Sequence, residues 1–217
     1  MVQGADITFE NVARRFGRRW AVAGVSFAVK AGEGVALTGH NGSGKSTLLR
    51  CLATALKVHH GRILVDGQPL WDNRHTLRPR ICMLSHAGAL YDDLSGEENL
   101  RVWARLGGHT GDLPALLDRV GLAGRKEPVR TYSAGMRRRL ALARLILHQP
   151  GVVLLDEPYT ALDAKGRALV TEVATALRAE GATVFMATHL MDYARHVCDR
   201  RIELLDGEMV SDGEVPR

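Results

Sequence analysis

The chain has 217 residues, 46% of them apolar, and a formal net charge of +5, enough for one α/β domain with an inserted block and short for two domains. The apolar residues are dispersed. No uninterrupted run reaches the roughly 18 residues of a bilayer span, and the N-terminus has no charged-then-apolar leader, so a soluble chain of the cytosol is expected.

The first elements read as a pair of strands, "DITFENVARRF" and "VAGVSFAVKAGE", with a turn at Gly17 and a glycine-bounded end at Ala31-Gly32-Glu33. "GVALTG" is a short apolar strand running straight into a glycine turn. "KSTLLRCLATAL" comes next as a helix, with Leu48, Leu49, Leu52 and Leu56 near helical spacing. "GRILVDG" is a further strand bracketed by glycines. After "RICMLSH" the texture changes: from about 87 to 149 helices dominate, the first opened by "LSGEENL", where Ser95 and Glu98 have capping-box spacing. This block reads as a helical insert within a single domain spanning 1–217. "GVVLLDEP" and "ATVFMATH" then return to buried-strand character on either side of a helix ending near Gly181, the alternation of a mostly parallel sheet.

Other features point to no chemistry of their own. Cys51, Cys82 and Cys198 are far apart and in no metal-ligand spacing, as free thiols of a reducing compartment would be. Arginines cluster at Arg14-Arg15, Arg18-Arg19, Arg78 with Arg80, and Arg137-Arg138-Arg139. No aromatic-interleaved basic stripe or reader motif accompanies them, so they read as a solvated face and nucleic acid is not an expected partner.

The stretch "GHNGSGKST" matches G-x-x-x-x-G-K-[ST] between an expected strand and an expected helix, the context that gives the pattern meaning. Backbone N–H groups converge on phosphate oxygens only where the chain curls tightly, which glycine at Gly42 and Gly44 permits. The helix N-terminus adds partial positive charge, Lys45 supplies a point charge for the β- and γ-phosphates, and the Ser46 hydroxyl can ligate Mg2+. Asp156 ends the apolar strand "VVLL" at the sheet edge beside this turn, where it can hold the magnesium shell. Glu157 comes immediately after it and is the general-base candidate, polarising a water for in-line attack on the γ-phosphate.

With these motifs the chain resembles the nucleotide-binding subunit of an ABC transporter over nearly its whole length. The implied fold is α/β: a P-loop NTPase core with an N-terminal antiparallel β subdomain and an inserted α-helical subdomain. Gly39, His40, Asn41, Gly42, Ser43, Gly44, Lys45, Ser46 and Thr47 form the Walker A loop of the resemblance, and "VVLLDE" is Walker B. "YSAGM", from Tyr132 to Met136, is the signature; "TALD", ending at Asp163, is the D-loop; His189 in "ATHL" is the switch histidine. Phe16 lies where the family has an aromatic that stacks on adenine, a role Trp20 could take instead. In this family two cassettes pair head to tail around two ATP. The signature of one chain, here Ser133, Ala134, Gly135 and Met136, then caps the ATP held by its mate, and Asp163 faces the same site. Ala134 and Met136 replace the family's commoner glycine and glutamine, while Ser133 and Gly135, which the contact needs, are retained. His189 is expected to reach the γ-phosphate. His86 stands where the family has a glutamine touching magnesium and the attacking water, and its protonation would weaken metal coupling below about pH 6.5.

Histidine for glutamine before "LYDDLSGEENLRVWARL" and alanine within the signature resemble most the ATP-binding subunit of the cytochrome c maturation haem exporter. That resemblance implies integral membrane permease subunits as partners and a peripheral position on the cytoplasmic face of the inner membrane. No residue of this chain is expected to touch haem, and Met191 and Met209 read as core or surface. Partners would dock on the helical insert and beside His86, where Leu94, Leu100 and Trp103 offer an apolar patch unless the insert buries them. The alternative is an exporter cassette for drug or polysaccharide cargo. More remote are a soluble ABC ATPase acting on ribosomes or nucleic acid, and a nucleotide-binding module without catalysis, against which Glu157 and His189 both argue.

Overall fold

The computed structural model describes residues 2–85 and 90–215. Strands β1 (Ile7–Phe16) and β2 (Arg19–Val29) pair antiparallel about Gly17, in a register that sets Ile7 opposite Val29 and Phe16 opposite Arg19. Strand β3 (Gly34–Thr38) leads through the glycine loop into helix α1 (Lys45–Leu52). The helix is shorter than its leucine spacing predicts. Thr54 takes φ 60°, and the N–H groups of Ala55 and Leu56 both turn back to the Arg50 carbonyl, which closes the helix before Leu56. Strands β4 (His60–Val65) and β5 (Gln68–Pro69) meet at Asp66-Gly67, whose φ values of 50° and 76° are those of a type I′ hairpin turn.

Helix α2 (Arg74–Leu77) and a 3-10 turn at Arg78–Arg80 lead into β6 (Ile81–Leu84). Helices α3 (Gly96–Gly107), α4 (Leu113–Arg119) and α5 (Ala134–His148) come next. The capping box opens α3: the Glu98 N–H donates to Ser95 Oγ and the Ser95 N–H donates to Glu98 Oε2. The chain ends with β7 (Val152–Asp156), α6 (Ala164–Ala179), β8 (Thr183–Ala187), α7 (Met191–Ala194), β9 (Arg200–Leu205) and β10 (Glu208–Glu214). The last hairpin was not among the expected elements. Its signal lay in Asp206-Gly207, which adopts a second type I′ turn with φ values of 47° and 88°.

Two sheets result, one of order β2-β1-β4-β5 and antiparallel, the other of order β10-β9-β3-β8-β7-β6 and parallel except at β10. The central strands β3, β8 and β7 are almost wholly apolar because both of their faces are covered. Val35, Leu37, Val152, Leu154 and Phe185 point into one core, shared with α1 and the antiparallel sheet. Ala36, Val153, Leu155, Val184 and Met186 point into the other, under α5 and α6. A buried side chain of this size contributes about 1.5–3 kcal/mol. Helices α3, α4 and α5 enclose a third core around Leu100, Leu117, Leu122 and Leu140.

Of the two readings left open for Leu94, Leu100 and Trp103, an apolar patch or burial in the insert, the structure favours burial. Leu100 is fully buried in the third core, Trp103 packs against it, and the Arg144 guanidinium covers the Trp103 ring at 5.1 Å. Met191 and Met209 are partly buried against the cores of the two faces.

Candidate functional site

The site lies along the C-terminal edge of three neighbouring parallel strands. Leu37 and Asp156 both stand opposite Ala187, so β3, β8 and β7 end level with one another. The segments leaving the three strand ends therefore converge: the glycine loop after β3, His189 after β8, and Glu157 after β7. Backbone bonds hold the edge, with the Thr188 N–H on the Leu37 carbonyl and the Glu157 N–H on the Ala187 carbonyl.

The loop from Gly39 to Thr47 depends on glycine at two close approaches. Gly39 has φ 131° and a Cβ there would run into the Leu204 carbonyl; Gly44 has φ 109° and a Cβ there would run into that of Ala21. Lys45, 7% exposed, turns its ammonium inward onto the Gly39 and His40 carbonyls at 2.7 and 2.9 Å and onto Ser43 Oγ at 3.4 Å. Burial draws the Lys45 pKa below its ordinary value, opposed by the charges of Glu157 and Asp156. A cation held by weak carbonyl acceptors within a glycine loop is suited to exchange them for phosphate oxygens. His40 lies 3.4 Å from Asp206 at the rim, and Asn41 and Gly42 are exposed there.

Ser46 Oγ donates to Asp156 Oδ1 at 2.7 Å across 110 residues of sequence. Asp156 is 5% exposed. A hydroxyl and a buried carboxylate side by side are the hard oxygen donors that Mg2+ prefers, so the residues fit that ion. Glu157, next along, has φ 47°, a left-handed conformation that costs a non-glycine residue of order 1–3 kcal/mol. The turn carries its side chain toward His189, whose Nδ1 lies 3.1 Å from Glu157 Oε2.

Ser133 caps α5, its Oγ accepting the Met136 N–H at 3.2 Å, and in the first turn Ala134 is exposed and Gly135 half-buried. Asp163 caps α6 by accepting the Gly166 N–H at 2.8 Å. Phe16 is 50% exposed with the Arg14 guanidinium 5.1 Å above its ring; Trp20 is 38% exposed with Arg15 at 5.7 Å. His86, expected at the magnesium and the attacking water, lies outside the described residues.

Arg137 to Arg139 are not the solvated run their composition suggested. Arg137 pairs with Asp92 at 2.7 Å and Arg139 with Asp163 at 2.8 Å. Arg138 is 6% exposed; burial lowers its pKa, and the charges of Asp156 and Glu157 oppose that shift. Asn99 was also missed. It is fully buried, and its side-chain amide accepts the Tyr91 N–H and donates to the carbonyls of Tyr91, Leu94 and Ser95. Its one sequence signal was an amide on the apolar face of α3.

Comparison with known proteins agrees with this arrangement. The ABC transporter family profile matches residues 22–160. A Nod factor export ATP-binding protein of Burkholderia lata is 36% identical over 215 residues, covering 96% of this chain and 71% of that protein. A daunorubicin resistance ATP-binding protein of Streptomyces coeruleorubidus is 39% identical, over 95% of this chain and 67% of its own length. A linearmycin resistance ATP-binding protein of Bacillus subtilis is 33% identical, covering 94% and 68%. Among solved structures, an ATP-binding subunit of an ABC transporter superposes with a TM-score of 0.88 at 27% identity, over 96% of this chain and 90% of that one. A dimeric ATP-binding cassette in a post-hydrolysis state with ADP and Pi gives 0.84 at 25% identity, over 97% and 99%.

Proposed function

This chain belongs to the ABC transporter family of ATP-binding proteins, and from that premise we propose that it is the ATPase subunit of an exporter for drug or polysaccharide cargo. As a member of that family it binds ATP with Mg2+. It works as a homodimer that drives integral membrane subunits, at the cytoplasmic face of the membrane. No helix among the described residues is long and apolar enough to cross a bilayer.

The observation that carries the ATPase reading is the 2.7 Å bond between Ser46 and Asp156. It joins the glycine loop to the end of β7 and so sets a metal-ligand pair beside the phosphate cradle. Lys45 leaves the loop carbonyls for the β- and γ-phosphates, and the α1 N-terminus with the N–H groups of the loop shares their charge. Mg2+ held by Ser46 and Asp156 would neutralise charge on the β- and γ-oxygens. Glu157 accepts a proton from water as the water oxygen bonds to the γ-phosphorus and the bond to the bridging oxygen breaks. His189 orients the Glu157 carboxylate in the resting site and reaches the γ-phosphate when ATP is bound. Phe16 takes the adenine ring.

Ser133 and Gly135 act on the ATP of a second copy, with Ala134, Met136 and Asp163 beside them. The helical block at 87–149 carries this surface within a single nucleotide-binding domain. Two anion-binding turns in one chain then have one purpose, since each closes a site that the mate opens. Loss of the γ-phosphate removes the anion both turns share, and the dimer relaxes.

The cargo reading rests on the relatives, which are named for Nod factor export and for daunorubicin and linearmycin resistance, not for haem. This favours the drug or polysaccharide exporter over the haem exporter. Affinity purification of the full chain from membranes, with identification of the copurifying integral proteins, tests it. Recovery of a cytochrome c maturation permease would reverse the assignment.

A further inference from the structure

The fold assembles a basic and aromatic surface around Phe16, of which the ATP site uses only the Phe16 ring. From Asn11 to Gly32 the sequence has no acidic residue, and none occurs again between Glu33 and Asp66. The first stretch is the β1–β2 hairpin, with Arg14, Arg15, Arg18 and Arg19 around its turn. The second brings Lys57, His59 and His60 alongside, because Ala13 on β1 pairs with His60 on β4. Arg15, Arg18, Arg19, Lys57, His59 and His60 are exposed.

Elsewhere in the chain arginines are commonly paired with carboxylates, as at Arg80, Arg101, Arg119, Arg130, Arg137 and Arg200. Among the described residues no salt bridge involves Arg14, Arg15, Arg18 or Arg19. Arg14 instead donates to the Lys57 carbonyl at 2.9 Å and lies over Phe16, and Arg15 lies over Trp20. Trp20 in turn meets His60, with ring centroids 5.6 Å apart. Partial desolvation, and then the charges of Arg14, Arg15 and His60, hold the His59 pKa below its ordinary value.

We infer that the tip of this hairpin docks on an anionic phospholipid surface, with Arg15, Arg18 and Arg19 meeting the headgroup phosphates and Trp20 at headgroup depth. Charge complementarity chooses the partner: clustered arginines without carboxylates beside an exposed indole match an acidic headgroup layer, where each basic residue adds about 1 kcal/mol. Shape separates this from nucleic acid. A single strand is held in a groove that tracks its backbone, whereas here the turn projects outward, with nothing within 4 Å of a Cβ built on Gly17. The inference goes beyond the ATPase reading and stands independently of it, because its assay uses no nucleotide.

The test is co-sedimentation of the full chain with vesicles of phosphatidylcholine alone, or of phosphatidylcholine mixed equally with phosphatidylglycerol. Binding to the mixed vesicles only, reversed by high salt, is expected. Arg18→Gln with Arg19→Gln should weaken partition about fivefold per arginine, the ratio equivalent to about 1 kcal/mol each. Arg105→Gln with Lys126→Gln, which removes the same charge from the helical block, should change it little. Equal binding to phosphatidylcholine, equal loss in the two double variants, or displacement by a single-stranded oligonucleotide at equal phosphate would each overturn the inference. Thermal melting of both double variants verifies that they are folded.

Discussion

Arg139 on α5 donates to Asp163 Oδ1 at 2.8 Å, and the same carboxylate oxygen accepts the Gly166 N–H at 2.8 Å to cap α6. One side chain thus ties the helix that begins at the signature to the helix that begins at the D-loop. The two segments proposed to face a second copy are coupled within each chain.

The Gly166 N–H first, and then Arg139, hold the Asp163 carboxyl below the ordinary aspartate value of 3.8. A lowered folded pKa contributes stability that is complete above the unfolded value and is lost as pH falls through the folded one. Asp163→Ala should therefore melt below wild type at neutral pH, with the gap closing only under acid conditions below the ordinary aspartate range. A gap that persists undiminished there would mean that the carboxylate charge is not what the cap and the ion pair use.

Glu157→Gln should lower ATP turnover roughly 100- to 10,000-fold, the usual contribution of a positioned general base, while ATP binding survives. Light scattering of this variant with ATP should register a dimer that persists. Adding Ser133→Arg should abolish it, because a bulky cation at the helix start blocks the approach of the mate. A monomer in the first case, or a dimer in the second, would refute the shared-site mechanism.

His189→Ala should slow hydrolysis as well, yet the double variant with Glu157→Gln should be scarcely slower than Glu157→Gln alone. Residues that act as one unit are non-additive, and these two are in contact at 3.1 Å. Steady-state phosphate release measures it, with fully multiplicative losses as the contrary result.

With ATP at about 100 times its Kd, binding should stabilise the wild-type chain by about 2.7 kcal/mol, raising its melting temperature by roughly 5–10 °C for a chain of this size. Lys45→Ala should remove most of that shift at the same ATP concentration, since its ammonium is the cation within the loop. Its melting temperature without nucleotide checks that the loop variant is folded.

Asn99→Ala should destabilise the chain by about 2–3 kcal/mol, because it leaves the Tyr91 N–H and three carbonyls of the segment entering α3 without their amide partner. Urea unfolding followed by circular dichroism would give the difference directly. A loss under about 0.5 kcal/mol would mean that water replaces the amide without cost.

The sequence alone was sufficient for much that depends on local backbone chemistry, though the Asp206-Gly207 hairpin and the early close of α1 at Thr54 were missed. Glycine spacing marked the loop before Lys45, "VVLL" placed Asp156 and Glu157 at a strand end, and Ser95 with Glu98 marked the start of a helix. Each is a short-range rule of conformation or capping, and each is legible within a few residues. Among the partnerships, only that of Ser46 with Asp156 was foreshadowed, by the strand end placed beside the glycine turn. Glu157 meets His189 and Arg139 meets Asp163 because the crossovers bring β8 and β7 into one register and lay α5 against α6. Arginine clusters that looked alike in composition were separated by the same packing. Arg137 and Arg139 found carboxylates and Arg138 was buried, while Arg15, Arg18 and Arg19 remained in the open on a hairpin whose neighbouring strand carries no acid. Charge pairing depends on distance through space, and only the tertiary structure supplies that distance.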